Sequence, residues 1–297
     1  MSKGSSNKRK IIAFAVTMLC IVTIIALFLG NFGSSLPLED EFDISSDFVR
    51  FIDVGQGDSI LIYSNGYSAL IDTGTSDSAN EICSMLDECN IKDIDVVILS
   101  HLHDDHTGGI KQISEIHKIK NIVLPEISIE SDTLTDAQFV INKVRQTGGG
   151  IYNAVSGMNF SIGEFEITVL ASFGEMKDEN NRSVIVAAEI EERKFLFTGD
   201  AETKTETALL NEGLNLKCDV LKAGHHGSNT SSSEEFLKAV SPRFVAISVG
   251  RENSYGHPHN TILSAYEKIK AEVYRTDYDG DITFSIEDGN LKVKTEK

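Results

Sequence analysis

The residues predict an α+β protein of two sheets with helices on their outer faces, preceded by one N-terminal transmembrane helix. Three observations carry this. Short apolar runs of strand length alternate with amphipathic segments, and the series occurs twice. Histidines and aspartates stand directly after several of those runs. An uncharged apolar stretch opens the chain at residues 11–29.

The first ten residues, "MSKGSSNKRK", hold four basic residues and no acid. The stretch that follows, "IIAFAVTMLCIVTIIALFL", at ~1.5 Å per residue nearly matches a ~30 Å hydrocarbon core. Lys8, Arg9 and Lys10 beside it place the N-terminus in the cytoplasm and everything after residue 30 outside. The chain then divides into a basic cytoplasmic N-terminus (1–10), a transmembrane signal anchor (11–30), an acidic linker (31–47) and an extracytoplasmic domain (48–297) at the cell membrane. The alternative is secretion after signal cleavage. A cleaved signal would carry an apolar region of about 7–15 residues and a small-x-small site. This run is longer and no good Ala-x-Ala follows it.

From residue 48 the apolar runs are "VRFIDV", "SILIYS", "YSALIDTG", "DVVILS" and "NIVLP". A helix, "DSANEICSMLDEC", separates the third and fourth, and another near 133–147 follows the fifth. The second series is "FEITVLAS", "SVIVAAEI" and "KFLFTGD", a helix near 202–212, "CDVLKAG", a helix near 232–240, "RFVAISVG", a helix near 259–270 and short strands up to 295. The formal charge is −18, and beyond the first ten residues 23 basic residues face 45 acidic ones. Such a surface repels nucleic acid on average, so a polyanionic substrate would need a local positive site such as a metal ion. Cys20, Cys83, Cys89 and Cys218 form no C-x-x-C pair and are too sparse for a disulfide framework.

Three of the eight histidines fall within 101–106, in "SHLHDDHTGG". His101 and His103 sit two apart beyond the run "DVVILS" and project to the same side. Asp105 and His106 follow as the chain turns into a helix, and Asp104 faces away. Imidazole and carboxylate together suit zinc, manganese or iron. One loop makes an incomplete site, so further ligands are expected at other strand ends. Asp200 closes "KFLFTGD"; His225 or His226 follows "CDVLKAG"; His257 or His259 follows "RFVAISVG". His117, in a helix-like segment, reads as a surface residue.

In this order these residues resemble the metallo-β-lactamase superfamily, whose H-x-H-x-D-H signature "SHLHDDHTGG" fits. With "FIDVGQGDSILI", "ALIDTG", "LKAGHHGS" and "YGHPH", residues 48–295 are similar to the extracellular hydrolase domain of ComEC-type competence proteins and their free-standing relatives. The resemblance implies a four-layered αββα sandwich with one or two divalent ions, zinc before manganese, at one edge. It implies His101 and His103 on the first ion, Asp105, His106 and His225 on the second with His226 the lesser half of the pair, and Asp200 bridging. Asp72 would orient a ligand histidine, and the turn carrying Asp58 would approach the site. Many members carry a further histidine for the first ion in the loop before Asp200. Here that loop reads "MKDENNRSVIVAAEI", with Asn180 or Asn181 at the place, which leaves operation with a single ion open.

A water on such an ion can reach a pKa near 7 and attack an ester, amide or phosphodiester. Asp105 would orient that water. His257 would protonate a leaving group or bind a phosphate oxygen, or else cap a helix start. Lys222 and Ser228 would contact an anionic substrate, or Lys222 would be a solvated charge. The expected function is a membrane-anchored phosphodiesterase or nuclease, with nucleic acid or a small anionic ester as partner. The alternatives are hydrolysis of a lactam, lactone or phosphorylcholine ester, and a non-catalytic metal-binding module.

Overall fold

Every second residue of the opening strand, Val49 and Phe51, enters the space between two sheets, and Ile60, Ile62, Ala69 and Ile71 do the same from the next two strands. This period of two builds the inner layer. The computed structural model describes residues 47–126, 135–287 and 289–297. The expected transmembrane anchor and linker lie outside the described residues, apart from Asp47. Among those described, no helix is long and apolar enough to cross a membrane.

The first series supplies β1 (Asp47–Phe51), β2 (Ile60–Ser64), β3 (Tyr67–Ile71), β4 (Asp93–Ile94), β5 (Val96–Ile98), β6 (Lys118–Ile119), β7 (Asn121–Leu124) and β8 (Gly150–Asn153). The second supplies β9 (Asn159–Ile162), β10 (Phe165–Ala171), β11 (Ile185–Ile190), β12 (Arg193–Phe197), β13 (Val220–Lys222), β14 (Phe244–Ile247) and β15 (Glu272–Arg275). A closing hairpin, β16 (Ile282–Glu287) and β17 (Asn290–Thr295), returns to the first sheet. The orders are β17-β16-β1-β2-β3-β5-β7-β8 and β15-β14-β13-β12-β11-β10-β9, with β4 and β6 paired apart.

Both sheets are mixed. β3, β5, β7 and β8 run parallel, as do β12 to β15. Parallel pairs need crossovers, which the helices Ala79–Glu88, Ile110–Ile116, Thr135–Gln146, Thr203–Asn211, Glu234–Val240 and Asn260–Lys268 provide on the outside. The outer face of the second sheet is apolar as well: Leu196, Leu221, Val245 and Ile247 meet Leu209, Phe236, Leu237 and Tyr266 from the helices. The two burial faces explain why these strands read as continuous apolar runs. Between the sheets, Phe284 packs its ring 5.9 Å from Phe51, 6.1 Å from Phe195 and 5.7 Å from Phe244. The returning hairpin thereby ties the two sheets together, and each buried ring adds roughly 1.5–3 kcal/mol of burial.

This arrangement places the C-terminal ends of β3, β5, β12, β13 and β14 along one edge. Asp72, His101, Asp200, His225 and the loop to His257 all leave from there.

Candidate metal centre

Three loops are stitched together before any ligand is considered. Thr73 N and Thr73 Oγ1 donate to His106 O at 2.7 and 3.0 Å, Asp58 N donates to Asp105 O at 3.1 Å, and Gly74 N donates to Asp58 O at 2.8 Å. The turn at Gly57 (φ +147°) lies so close that a Cβ there would stand 2.4 Å from Asp105 O. The GQGDS turn thus braces the loop that carries Asp105 and His106.

On this frame Asp105, His106, Asp200 and His226 point one ligand atom each into a common space, all within 4.8 Å of one another. His106 Nε2 lies 3.3 Å from Asp200 Oδ1, and His226 Nε2 lies 3.4 Å from Asp200 Oδ2 and 3.3 Å from Asp105 Oδ2. The ring orientations are set from behind. His106 Nδ1 donates to Asp72 Oδ2 at 2.8 Å, and His226 Nδ1 donates to Ser248 O at 2.9 Å. Asp72 is held in turn by Ser100 N at 2.7 Å and Ser100 Oγ at 2.6 Å. Both Nε2 atoms therefore face inward. His106 Nε2, His226 Nε2 and Asp200 Oδ1 are buried without a hydrogen-bond partner among the described residues. Three such atoms at one point, with a carboxylate on the open side, fit a divalent cation.

The charges agree. Burial opposes the charge on His106, but Asp200, Asp72 and Asp58 outweigh it and hold its pKa well above the usual histidine range. Burial likewise opposes charge on His226, yet Asp200 and Asp105 push it up to about 9. Burial disfavours the charged Asp105 carboxylate, but the hydrogen bond from His226 and the charges of His106 and His226 outweigh it and hold its pKa at about 2. Without an ion the cluster is a proton trap.

His101 and His103 form the neighbouring pair, His101 Nε2 standing 3.1 Å from His103 Nδ1 and 4.0 Å from Asp200 Oδ2. Asp200 thus lies between the two groups. Asp104 opens a short helix and is exposed, outside the cluster. Asp58 sits beneath the site, its carboxylate 3.7 Å from His106 Nδ1 and 3.5 Å from His226 Nδ1.

Several expectations need correction. The sequence favoured His225 over His226 for the second ion, whereas His226 occupies the convergent group and His225 stands outside it. The cause is local backbone: His225 (φ 47°, ψ 50°) and His226 (φ 53°, ψ 25°) are both left-handed, which swings the second ring inward. Asn181 is not available as an ion ligand. Its Oδ1 accepts from Thr205 Oγ1 at 3.0 Å and its Nδ2 donates to Glu202 Oε2 at 2.9 Å. Lys222 is neither solvated nor open to substrate. It is fully buried, with Nζ 2.6 Å from Asp58 Oδ2 and donating to Gly199 O at 2.8 Å. Ser228 is buried too, its hydroxyl 3.0 Å from Thr230 Oγ1.

His257 is half-buried beside His225, with ring centroids 5.5 Å apart. Burial, then repulsion from His225, His226 and His259, lowers its pKa to about 4. A neutral imidazole at pH 7 is a poor proton donor, which favours the oxygen-binding role over protonation of a leaving group. His117 is buried rather than superficial, donating from Nδ1 to Ile91 O at 2.9 Å. Sequence reasoning overlooked Ser100; a serine at the end of a buried strand, directly before the first histidine, was the available signal.

Asp72→Asn is expected to keep the fold but lower metal affinity about 10–100-fold, since an amide cannot accept from both Ser100 and His106 as the carboxylate does. Chelator competition measures this, and unchanged affinity would refute the orienting role.

The model of the "Metallo-beta-lactamase superfamily" matches residues 52–251. The ComE operon protein 3 of Bacillus subtilis is 31% identical over 258 residues, covering 80% of this chain and 32% of that protein. The competence protein ComA of Neisseria gonorrhoeae is 30% identical over 244 residues, covering 82% of this chain and 33% of that protein. The chain spans about a third of the length of these relatives. Among solved structures, the metallo-beta-lactamase fold protein YhfI of Bacillus subtilis aligns with a TM-score of 0.54 at 15% identity, covering 80% of this chain and 99% of that one. CmlA of Streptomyces venezuelae, a diiron beta-hydroxylase, aligns with a TM-score of 0.56 at 13% identity, covering 81% of this chain and 54% of that one. These two show the fold and no more. Two sheets meeting at an edge of histidines and aspartates, under a family model that matches residues 52–251, place the chain in the metallo-β-lactamase superfamily.

Proposed function

We propose that the chain is a membrane-anchored, extracytoplasmic metal-dependent hydrolase acting on phosphodiester bonds. The observation that carries the reading is the convergence of His106 Nε2, His226 Nε2 and Asp200 Oδ1, buried without a hydrogen-bond partner among the described residues, opposite the partly open Asp105. The resemblance of the sequence motifs to the ComEC-type hydrolase domain is what favours a phosphodiester over other bonds. The charge and apolarity of residues 8–29 support the anchor. Zinc is the first choice and manganese the second.

His106, His226, Asp105 and Asp200 would hold one ion; His101 and His103, with Asp200 between the groups, would hold another. A divalent ion there supplies Lewis acidity, polarising the scissile-bond oxygen and acidifying water. The chain's own groups do the rest. Asp105, with 30% of its side chain exposed, would orient the attacking water. His257, neutral, offers a hydrogen bond to a phosphate oxygen. The acidic surface disfavours polyanions, so binding would depend on the ions themselves.

The test uses the purified full chain with bis-p-nitrophenyl phosphate, single-stranded DNA and nitrocefin, in zinc and in manganese. Turnover of the first two substrates is expected. His106→Ala should reduce it by more than the about 10–100-fold that an outer-shell change costs. Turnover of nitrocefin alone would move the assignment to lactam hydrolysis. Inactivity at full metal occupancy would make the chain a binding module.

A further inference from the structure

The adjacent histidines of "AGHHGS" have different surroundings. His226 points into the group with Asp105 and His106. His225 turns its Nε2 to the other side of the site, 3.8 Å from Asp200 Oδ2, the same oxygen that lies 4.0 Å from His101 Nε2. Its Nδ1 is engaged behind, 3.3 Å from Thr230 Oγ1 and 3.5 Å from Glu202 Oε1. That fixes the proton on Nδ1 and leaves the Nε2 lone pair facing Asp200.

Asn180 completes the picture. Its Nδ2 lies 3.4 Å from His225 Nε2, and its Oδ1 is buried without a hydrogen-bond partner among the described residues. A half-turn of the amide would exchange the two ends and again leave one without a partner. An amide oxygen buried without a hydrogen-bond partner, beside an imidazole that itself faces Asp200 Oδ2, suits a cation's ligand set. Separations near 4 Å contract readily to the about 3.4 Å between ligand atoms around a tetrahedral ion with about 2.0–2.2 Å bonds.

The backbone supports the same reading. Two consecutive non-glycine residues in the left-handed region are costly, and such strain persists where it serves a site. Here it aims neighbouring side chains to opposite sides of Asp200. We propose that His225, assisted by Asn180, is a ligand of the first ion together with His101 and His103, so that the His225–His226 pair divides between two ions across Asp200. This supplies the ligand that the loop before Asp200 lacks. It rests on the metal-dependent reading above for the presence of ions.

The test counts ions on the full chain by mass spectrometry after equilibration with excess zinc or manganese and gel filtration. Wild type should hold about two ions, as a two-metal site requires. His225→Gly should hold about one. Glycine accepts the left-handed backbone, so the metal-free melting temperature should stay level or rise; His225→Asn, also tolerant of that region, is the second variant should glycine loosen the loop. Adding His103→Ala to His225→Gly should cost no further ion, because both act on one site, whereas adding His226→Gly should empty the protein. Retention of both ions in His225→Gly and His225→Asn would overturn the assignment. So would the reverse pairing, in which the double variant with His103→Ala is empty and that with His226→Gly keeps one ion. A wild-type chain that binds no ion would instead overturn the metal-dependent reading itself.

Discussion

Lys222→Met is expected to destabilise the metal-free fold by about 3–5 kcal/mol, as removal of one partner from a buried ion pair does. Lys222 is fully buried at the end of β13, yet charged. Burial pulls its pKa down, but Asp58 and then Asp200 pull harder, and the result is a raised value. Its Nζ lies 2.6 Å from Asp58 Oδ2 and 3.6 Å from Asp200 Oδ1. Methionine fills the space and removes the cation. Asp58 then remains in the interior with no hydrogen bond at Oδ1 among the described residues and no lysine at Oδ2, facing only the two imidazoles at 3.5 and 3.7 Å. The double variant Lys222→Met with Asp58→Asn should recover most of the loss, because the stranded charge is gone. Urea unfolding of the singles and the double closes the cycle. If the double costs the sum of the singles, the pair is not the unit that holds this region. In the metal-loaded protein the Lys222→Met penalty should shrink, since the ion takes over part of the compensation for Asp200.

The burial of Lys222 also shows where the sequence stopped being informative. A lysine after two apolar residues at a strand end reads as a solvated head, and only the approach of Asp58 from the distant GQGDS turn makes an inward position tolerable. The strands of "DVVILS", "FLF" and "FVAI" were plain because both their faces are buried and the pattern is continuous. β8 and β9 were invisible: both are four-residue edge strands, largely half-buried or exposed; "GIYN" has neither alternation nor an apolar run, and "NFSI" alternates over too few residues to stand out. That the last hairpin joins β1 in the first sheet is a long-range pairing that no local pattern encodes. The aspartates and histidines of the site were legible because residue identity and strand-end position are sequence properties. Which of His225 and His226 points inward was not, because it depends on two left-handed residues between Gly224 and Gly227.

Raising the pH should weaken the metal-free fold and tighten metal binding over the same interval. His226 has a pKa of about 9 in the folded protein, against about 6.5 unfolded. A raised folded pKa contributes stability that is complete below the unfolded value and is lost as pH rises through the folded one. The loss should therefore run from about pH 6.5 to about pH 9 and amount to about 3 kcal/mol from His226 alone. His106, also raised, adds to it in the same direction. Urea unfolding in a chelator should show this decline, and the metal-loaded protein should not. Its imidazoles hold the ion in place of protons, so folding no longer takes up protons there. The same competition sets metal affinity. Below about pH 9 an ion entering this cluster must displace protons from His106 and His226, so affinity should rise by up to about 100-fold per pH unit. Calorimetry in buffers of different ionisation enthalpy counts the released protons directly. A metal affinity independent of pH between 6.5 and 9 would mean that these two imidazoles are not the groups the ion displaces.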